Sequence, residues 1–322
     1  MSPSDLPLRD GATLAYGAAN VGNLHRALSD AEAQAVLAAA WDAGIRSFDT
    51  APHYGLGLSE RRLGAFLRDK PREQFTVSTK VGRLLRPNPA GDGGLDLDNS
   101  FHVPTDARRV WDFSATGIVA SLDDSLERLG LDRVDALYLH DPEKHDLGQA
   151  LTEALPALEG LRAEGRVDRI GVGSMDADAL AAAVRGAALD EVMVAGRYTL
   201  LEQPASAEVL PACRERGTTI VAASVFNSGL LASDTPSRDA RYEYGGVPDA
   251  VWERLERILD VCRTHGVSLP VAALAFVARE PLVTTVVIGG SRPTQLQQNA
   301  ESWRQVVPEQ FWDDLARARL IP

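Results

Sequence analysis

Short apolar runs of five to eight residues alternate with longer helix-patterned stretches along almost the whole of this chain, and nothing else in the sequence constrains its fold as tightly. Seven of these runs are plain: "IRSFD" (45–49), "FTVSTKV" (75–81), "VDALYLH" (134–140), "DRIGVGS" (168–174), "EVMVAGRY" (191–198), "TTIVAAS" (218–224) and "TTVVIGG" (284–290). Two stretches compete for an eighth place, "RRVWDFS" (108–114) and the N-terminal "ATLAYGAAN". The N-terminal one is preferred, with a small hairpin from "LPLRDGA" ahead of it, because "SDAEAQAVLAAAWDAG" then becomes the helix joining strand one to strand two. That helix is well marked: Ser29 and Glu32 make a capping box, Val36, Leu37, Ala40 and Trp41 keep helical spacing, and Gly44 ends it. Further helices are predicted at 59–68, 115–129, 147–163, 176–185, 205–216, 249–265, 269–279 and 308–319.

Strands that are near-continuously apolar and separated by helices argue for a parallel sheet covered on its outside. Eight such units closing on themselves make a (β/α)8 TIM barrel, and 322 residues suit one such barrel of about 250 residues with insertions. The expectation is one domain spanning 1–322. The rival, an open doubly wound sheet, lacks its Gly-x-Gly-x-x-Gly turn after the first strand.

Two stretches break the alternation, 82–112 and 227–248, both rich in Gly, Pro and Asp and largely aperiodic. Each follows a strand, so each belongs at the carboxyl end of the barrel, where long loops act as lids over active sites. A net charge of −12 with no long basic run excludes a phosphate backbone as an obvious partner. Cys213 and Cys262 form no metal-ligand or C-x-x-C spacing and are expected to be buried thiols, and no metal is expected. No basic stretch leads into an apolar core at the N-terminus, and no apolar run approaches about 18 residues, so a soluble cytoplasmic protein without a membrane partner is the expectation.

Polar residues at strand carboxyl ends are the ones to weigh in a barrel. Asp49 ends "IRSFD", Lys80 ends "FTVSTK", His140 ends "VDALYLH", and Tyr54 lies in the turn after Asp49. Each has an ordinary structural reading when taken singly: a turn cap, a snorkelling lysine, a satisfied core histidine, a packing tyrosine. Together they support one chemistry. A phenol of pKa about 10 is a poor acid or base until a nearby ammonium stabilises its anion. A carboxylate keeps that ammonium charged and placed, and an imidazole hydrogen-bonds the reacting oxygen. The phenol then exchanges a proton with a carbonyl or hydroxyl oxygen while a hydride moves.

The stretch "FDTAPHYGLGLSERRLG", with "STKVG" and "LYLHDPE" further on, resembles the aldo-keto reductase superfamily, and the resemblance runs from about residue 10 to the C-terminus. It implies a catalytic set of Asp49, Tyr54, Lys80 and His140, with Tyr54 as proton carrier and Asp49 fixing Lys80. It also implies a nicotinamide dinucleotide across the barrel mouth. "IGGSRPTQLQQN" would hold its phosphates at Gly290, Ser291 and Arg292 and its adenine at Gln298 and Asn299. "SVFNSGLL" would line the dinucleotide bridge with Ser224, Asn227, Ser228, Gly229 and Leu230, and Ser174 would meet the carboxamide. Positions where many NADP-preferring members carry Lys and Arg hold Gly289 and Gln295, which leaves Arg292 as the one clamp and tilts the choice between NAD and NADP toward NAD.

"APHYGLGLSERRLG", "AGRYTLLEQ" and "FNSGLL" look like the branch of the superfamily that holds aldose C1 dehydrogenases and pyridoxal 4-dehydrogenase. The implied reaction oxidises a cyclic hemiacetal to a lactone, with Tyr54 taking the anomeric proton and His140 orienting that oxygen. Tuning by Lys80 is expected to lower the Tyr54 pKa. His53, Trp111 and Phe113 flank the catalytic set and either contact substrate or pack the barrel rim. Two other functions stay open at this stage: an aldehyde or ketone reductase using NADPH, and a dinucleotide-binding redox sensor. The expected partner is a small molecule, an aldose or an aldehyde, and the oligomeric state is open.

Overall fold

The computed structural model describes residues 6–91, 93–243 and 245–322. Its centre is a closed parallel barrel of eight strands: β1 (Thr13–Gly17), β2 (Ser47–Asp49), β3 (Thr76–Val81), β4 (Val134–His140), β5 (Val167–Ser174), β6 (Glu191–Ala195), β7 (Thr219–Ala223) and β8 (Val283–Ile288). Neighbours in sequence are neighbours in the ring, and β1 closes it by pairing with both β2 and β8, from Thr13↔Thr285 to Tyr16↔Ile288. The first strand is therefore the N-terminal stretch, as preferred from sequence. Of the hairpin expected ahead of it, a tight turn remains, in which Arg9 and Ala12 exchange backbone hydrogen bonds.

Helices α1 (Asp30–Asp42), α2 (Leu58–Leu67), α3 (Ala115–Leu129), α4 (Leu155–Ala163), α5 (Ala177–Gly186), α6 (Ala205–Arg216), α7 (Asp249–His265), α8 (Leu269–Ala278), α9 (Pro293–Arg304) and α10 (Glu309–Arg317) cover the barrel. The capping box of α1 is present: Glu32 N donates to Ser29 Oγ at 3.2 Å and Ser29 N to Glu32 Oε2 at 2.7 Å. Gly44 then turns the chain at φ +96°, a conformation that side chains with a Cβ resist. Trp41 at the end of α1 stacks on Phe48 of β2 with ring centroids 6.4 Å apart, which fastens helix to strand. α4 is entered through a short turn (Leu147–Gln149) and a π-helical segment (Ala150–Ala154), so the uniform helix expected over 147–163 is an interrupted one.

The stretch 82–112 is not a bare loop. It folds back as an antiparallel hairpin, Arg83–Pro87 against Ala107–Trp111, so "RRVW" is a strand, though not one of the barrel. Its strands are arginine-rich and half exposed, which hides the alternation that marks a strand in sequence. Among its described residues, the stretch 227–248 carries a 3-10 turn (Asn227–Gly229) and a two-residue antiparallel pairing of Arg241–Tyr242 with Gly245–Gly246. Both excursions stand over the carboxyl end of the barrel. They meet the β1–α1 loop at His25, whose N–H donates to Ser100 O at 2.8 Å and whose Nδ1 lies 2.8 Å from Arg241 Nη1.

Candidate active site

Asp49 ends β2 and Lys80 lies near the end of β3, on strands that pair directly. Both are buried, Asp49 4% exposed and Lys80 1%, at a depth where an ion pair is stable only with good geometry. Lys80 Nζ donates to Asp49 Oδ2 at 2.6 Å and to Thr50 O at 3.0 Å, and Ser78 Oγ donates to Asp49 Oδ1 at 2.8 Å. Burial alone would strip the lysine of its proton; Asp49 and then Tyr54 outweigh it, and the Lys80 pKa rises above its ordinary value.

Tyr54 is held over this pair by its own turn. Tyr54 N donates to Ala51 O, while Ser59 Oγ at the start of α2 donates to Ala18 O at 2.8 Å and shares a 2.8 Å hydrogen bond with Thr50 Oγ1. Glu60, fully buried, ties the same turn to β3 through Thr79 and to α3 through Arg128. Lys80 Nζ lies 4.9 Å from the Tyr54 ring centroid, and the His140 ring packs edge-on to that ring at 5.9 Å. The expected lowering of the Tyr54 pKa is not met in this structure. Burial pushes it up, Lys80 opposes, Asp49 and Asp141 add to the rise, and the net direction is upward. Tyr54 accordingly rests as a neutral phenol.

His140 is held well below the ordinary histidine value by burial and by Arg83, Lys80, Lys144 and Arg109, so it is a neutral imidazole with one N–H to offer. Arg83 ion-pairs with Asp141, which Lys144 also contacts at 3.0 Å. Arg109 pairs with Asp96 at 2.6 Å and donates to His53 O at 2.8 Å. Sequence reasoning missed these two arginines because they sit on the concealed hairpin. It missed Asp141 because "HDPE" reads as a turn.

Above the catalytic group runs a cleft of about 800 Å³ that reaches the start of α9. Of the residues expected to hold a dinucleotide, Ser174, Ser224, Ser228, Gly229, Gly290, Ser291, Gln298 and Asn299 line it. Three do not. Leu230 is buried in the core, Asn227 is buried and directs its Nδ2 toward Glu202, and Arg292 is exposed outside the lining. Two residues not anticipated pin the phosphate-side turn: Tyr16 Oη donates to Gly290 O at 2.9 Å, and Gly290 N donates to Asn20 Oδ1 at 3.1 Å. Seryl hydroxyls and side-chain amides, with glycine backbone between them, are a donor set suited to a dinucleotide. The volume also lies in the range of small-molecule sites, about 300–1,000 Å³.

The three residues weighed for substrate contact fare differently. His53 sits 5.6 Å from the His140 ring and 6.1 Å from Tyr54, its Nδ1 buried without a hydrogen-bond partner. Trp111 lies outside the cleft lining, under Arg83 at 4.4 Å and stacked on His145 at 5.3 Å. Phe113 is fully buried and packs edge-on against both Trp111 and His145, which gives it a packing role.

An ammonium–carboxylate pair buried beneath a tyrosine and a neutral histidine, at the carboxyl end of a (β/α)8 barrel and the floor of a dinucleotide-sized cleft, defines an oxidoreductase that moves a proton at a carbonyl or hydroxyl oxygen. The chain belongs to the Aldo/keto reductase family, which it matches over residues 13–319. It is 67% identical over 310 residues to a D-threo-aldose 1-dehydrogenase of a Pseudomonas species, covering 96% of this chain and 94% of that one. Identity to a pyridoxal 4-dehydrogenase of Microbacterium luteolum is 38% over 323 residues, with 96% and 94% covered. Among solved structures, the holo form of an aldo-keto reductase from Bacillus halodurans superposes with a TM-score of 0.76 at 20% identity, covering 99% of this chain and 97% of that one.

Proposed function

We propose that this enzyme oxidises the C1 hemiacetal of an aldose to the lactone, with NAD favoured over NADP. The observation that carries the reaction type is the buried Lys80–Asp49 pair beneath Tyr54, and the 67% relative supplies the substrate class. Bound nicotinamide would supply the hydride acceptor. The residues of this chain handle the proton: neutral His140 donates its N–H to the anomeric oxygen and orients it, Tyr54 takes the hydroxyl proton as its own proton passes to the Lys80–Asp49 pair, and the Lys80 charge stabilises the phenolate character that develops on Tyr54 in transit. Asp49 keeps Lys80 charged and in place. His53, packed on His140, fixes the ring that touches substrate.

The NAD preference has support in the cleft's charges. Lys80 is its one Lys or Arg among the described lining residues, and Asp49 already neutralises it. Farther along, the charged lining residues are the carboxylates Asp234 and Glu301, which repel an added phosphate. At the N-terminus of α9, Gln295 Oε1 already accepts from Ser291 N at 2.9 Å and Arg292 N at 3.1 Å, so two amides that would take a phosphate oxygen are engaged. Initial rates of NADH and NADPH formation at mildly alkaline pH, with aldoses, simple alcohols and pyridoxal, test the reading. Lactone formation from a threo-configured or 6-deoxy aldose with NAD is the expected result. Turnover of pyridoxal alone, or only consumption of NADPH with aldehydes, overturns it.

A further inference from the structure

Barrel interiors are ordinarily filled by bulky branched apolar side chains. Here Met193, Val221 and Val287 share the interior with the small Ala15 and Ala136 and with Tyr138, and among them lies a second cavity of about 20 Å³, room for one water molecule. Asp49 and Ser78 line it together with Tyr138, Glu191 and Arg169. Tyr138 is in register with Lys80 on the adjoining strand. Gly171 makes room for its ring: a Cβ there would stand 2.9 Å from Tyr138 Cδ1 and 2.2 Å from Glu191 O. The Tyr138 hydroxyl donates to Glu191 Oε1 at 2.5 Å, and Arg169 Nε donates to Glu191 Oε2 at 3.1 Å. Glu191 and Arg169 sit toward the amino ends of β6 and β5, and the Arg169 side chain is 46% exposed, so the chain of polar groups ends at solvent on the face opposite the cleft. A buried carboxylate and phenol are costly to keep in a barrel core, and an apolar filling would serve packing as well.

We propose that Tyr138 and Glu191 form the lower half of a proton conduit that joins the Asp49–Lys80 pair to solvent at the amino-terminal face of the barrel. The inference rests on Tyr54 as proton acceptor in the reaction above. As hydride leaves C1, the hydroxyl proton bonds to Tyr54 Oη, and Tyr54's own proton passes to Lys80 as Lys80 releases one to Asp49 Oδ2. Asp49 hands a proton to a water in the lower cavity. That water gives one to Tyr138 Oη while the Tyr138 proton moves to Glu191 Oε1, and Glu191 discharges to solvent beside Arg169. One proton leaves the substrate and one appears in water; each side chain regains its starting state, and the two electrons travel only with the hydride. Burial and the Glu191 charge hold the Tyr138 pKa well above its ordinary value, so Tyr138 stays a neutral hydroxyl, able to receive on one side as it donates on the other.

The test compares hydride transfer with proton release in single turnovers of the full-length wild-type enzyme, Tyr138→Phe and Glu191→Gln. NADH absorbance and a pH-indicator dye in weak buffer are followed together, with NAD and the aldose the wild type turns over. Thermal melting and NADH binding by fluorescence confirm that each variant is folded and loaded. In the wild type the two signals should coincide. In both variants the dye signal should lag the first NADH by roughly ten-fold or more, and the solvent deuterium effect on steady-state turnover should rise. Proton release in step with NADH in both folded variants, or an equal slowing of both signals, overturns the conduit and leaves Tyr138 a packing residue. Failure of the aldose reading shows separately, as absent turnover in the wild type. The same comparison is then run on proton uptake during carbonyl reduction with NADH or NADPH, where a lag in the variants again supports the conduit and its absence overturns it.

Discussion

Replacing Asp49 by Asn keeps the shape of the side chain and removes only its charge, so it isolates what the carboxylate does for Lys80. The Lys80 ammonium is 1% exposed, with Asp49 Oδ2 2.6 Å away and Thr50 O at 3.0 Å. Breaking a buried pair on one side costs about 3–5 kcal/mol. At about 2 °C per kcal/mol, the value for large domains, the melting temperature at neutral pH should fall by roughly 6–10 °C. The pH dependence gives the sharper test. In the wild type the Lys80 pKa is raised above its unfolded value, so the stabilisation is complete below about pH 10 and is lost only as pH climbs through the folded value. In Asp49→Asn burial acts without the carboxylate to oppose it. The folded state then prefers neutral lysine while the unfolded state still binds the proton, so the variant gains stability as pH rises toward about 10. Melting curves of both proteins from neutral to alkaline pH should therefore converge. A variant that melts with the wild type at neutral pH, or a deficit that stays constant across that range, refutes the assignment of Lys80 as a charged residue held by Asp49.

Tyr54→Phe should lower kcat by about 10²–10⁴ with NADH affinity unchanged, read by steady-state rates and fluorescence titration. His140 and His53 are both pushed below the ordinary histidine pKa, chiefly by burial and then by Arg83, so each is neutral when folded and takes a proton on unfolding in acid. Stability should accordingly fall as pH drops below about 6.5, by about 1.4 kcal/mol per pH unit for each histidine, and urea titrations of His53→Asn should show roughly half the wild-type slope. Glu301→Lys should tighten NADPH relative to NADH by up to roughly ten-fold, since surface charge changes are worth about 0.2–1 kcal/mol each, with the Kd ratio as the readout. Ser29→Ala should cost about 1 kcal/mol in denaturant unfolding and leave kcat/KM alone, because the cap it removes lies outside the cleft.

The barrel was legible because its strands are buried on both faces, as all seven residues of Val134–His140 are, and such strands announce themselves as continuous apolar runs. The catalytic group was legible for a related reason: Asp49, Lys80 and His140 are charged or polar residues ending apolar strands, where packing has no use for them. The concealed parts follow the opposite logic. The Arg83–Trp111 hairpin is tied to the barrel by the Arg83–Asp141 ion pair, a contact between residues 58 positions apart that no local pattern encodes, while Arg109 holds the hairpin's own loop at Asp96. Arg292 stands out in the sequence as the one cation left beside the expected phosphate site, yet Gln295 caps that turn and Arg292 lies outside the cleft lining. Tyr138 passed unremarked because an aromatic in a buried strand is the ordinary case. Its partner Glu191 is a carboxylate opening a strand, the one local signal that the barrel floor is polar.

The raised Tyr54 pKa bears on direction more than on competence. A phenol that rests protonated is ready to donate to a carbonyl, whereas oxidation requires it to accept a proton and then shed it. Lys80 and Asp49 make the acceptance feasible by sharing the charge within one hydrogen bond, but they hold no more than one extra proton and must be cleared of it before the next turnover. With substrate and dinucleotide filling the cleft above, clearance through the mouth waits on product release, while a path through the floor does not. Oxidation liberates one proton, so each pH unit shifts its equilibrium tenfold toward lactone, and an enzyme with a floor path should hold kcat independently of how fast product leaves. One that sheds its proton through the cleft should see kcat track product dissociation. Viscosity dependence of kcat across mildly alkaline pH separates the two: if kcat in Tyr138→Phe becomes more viscosity-dependent than in the wild type, proton clearance has been forced to wait for product, and equal dependence in the two proteins rejects this account of direction.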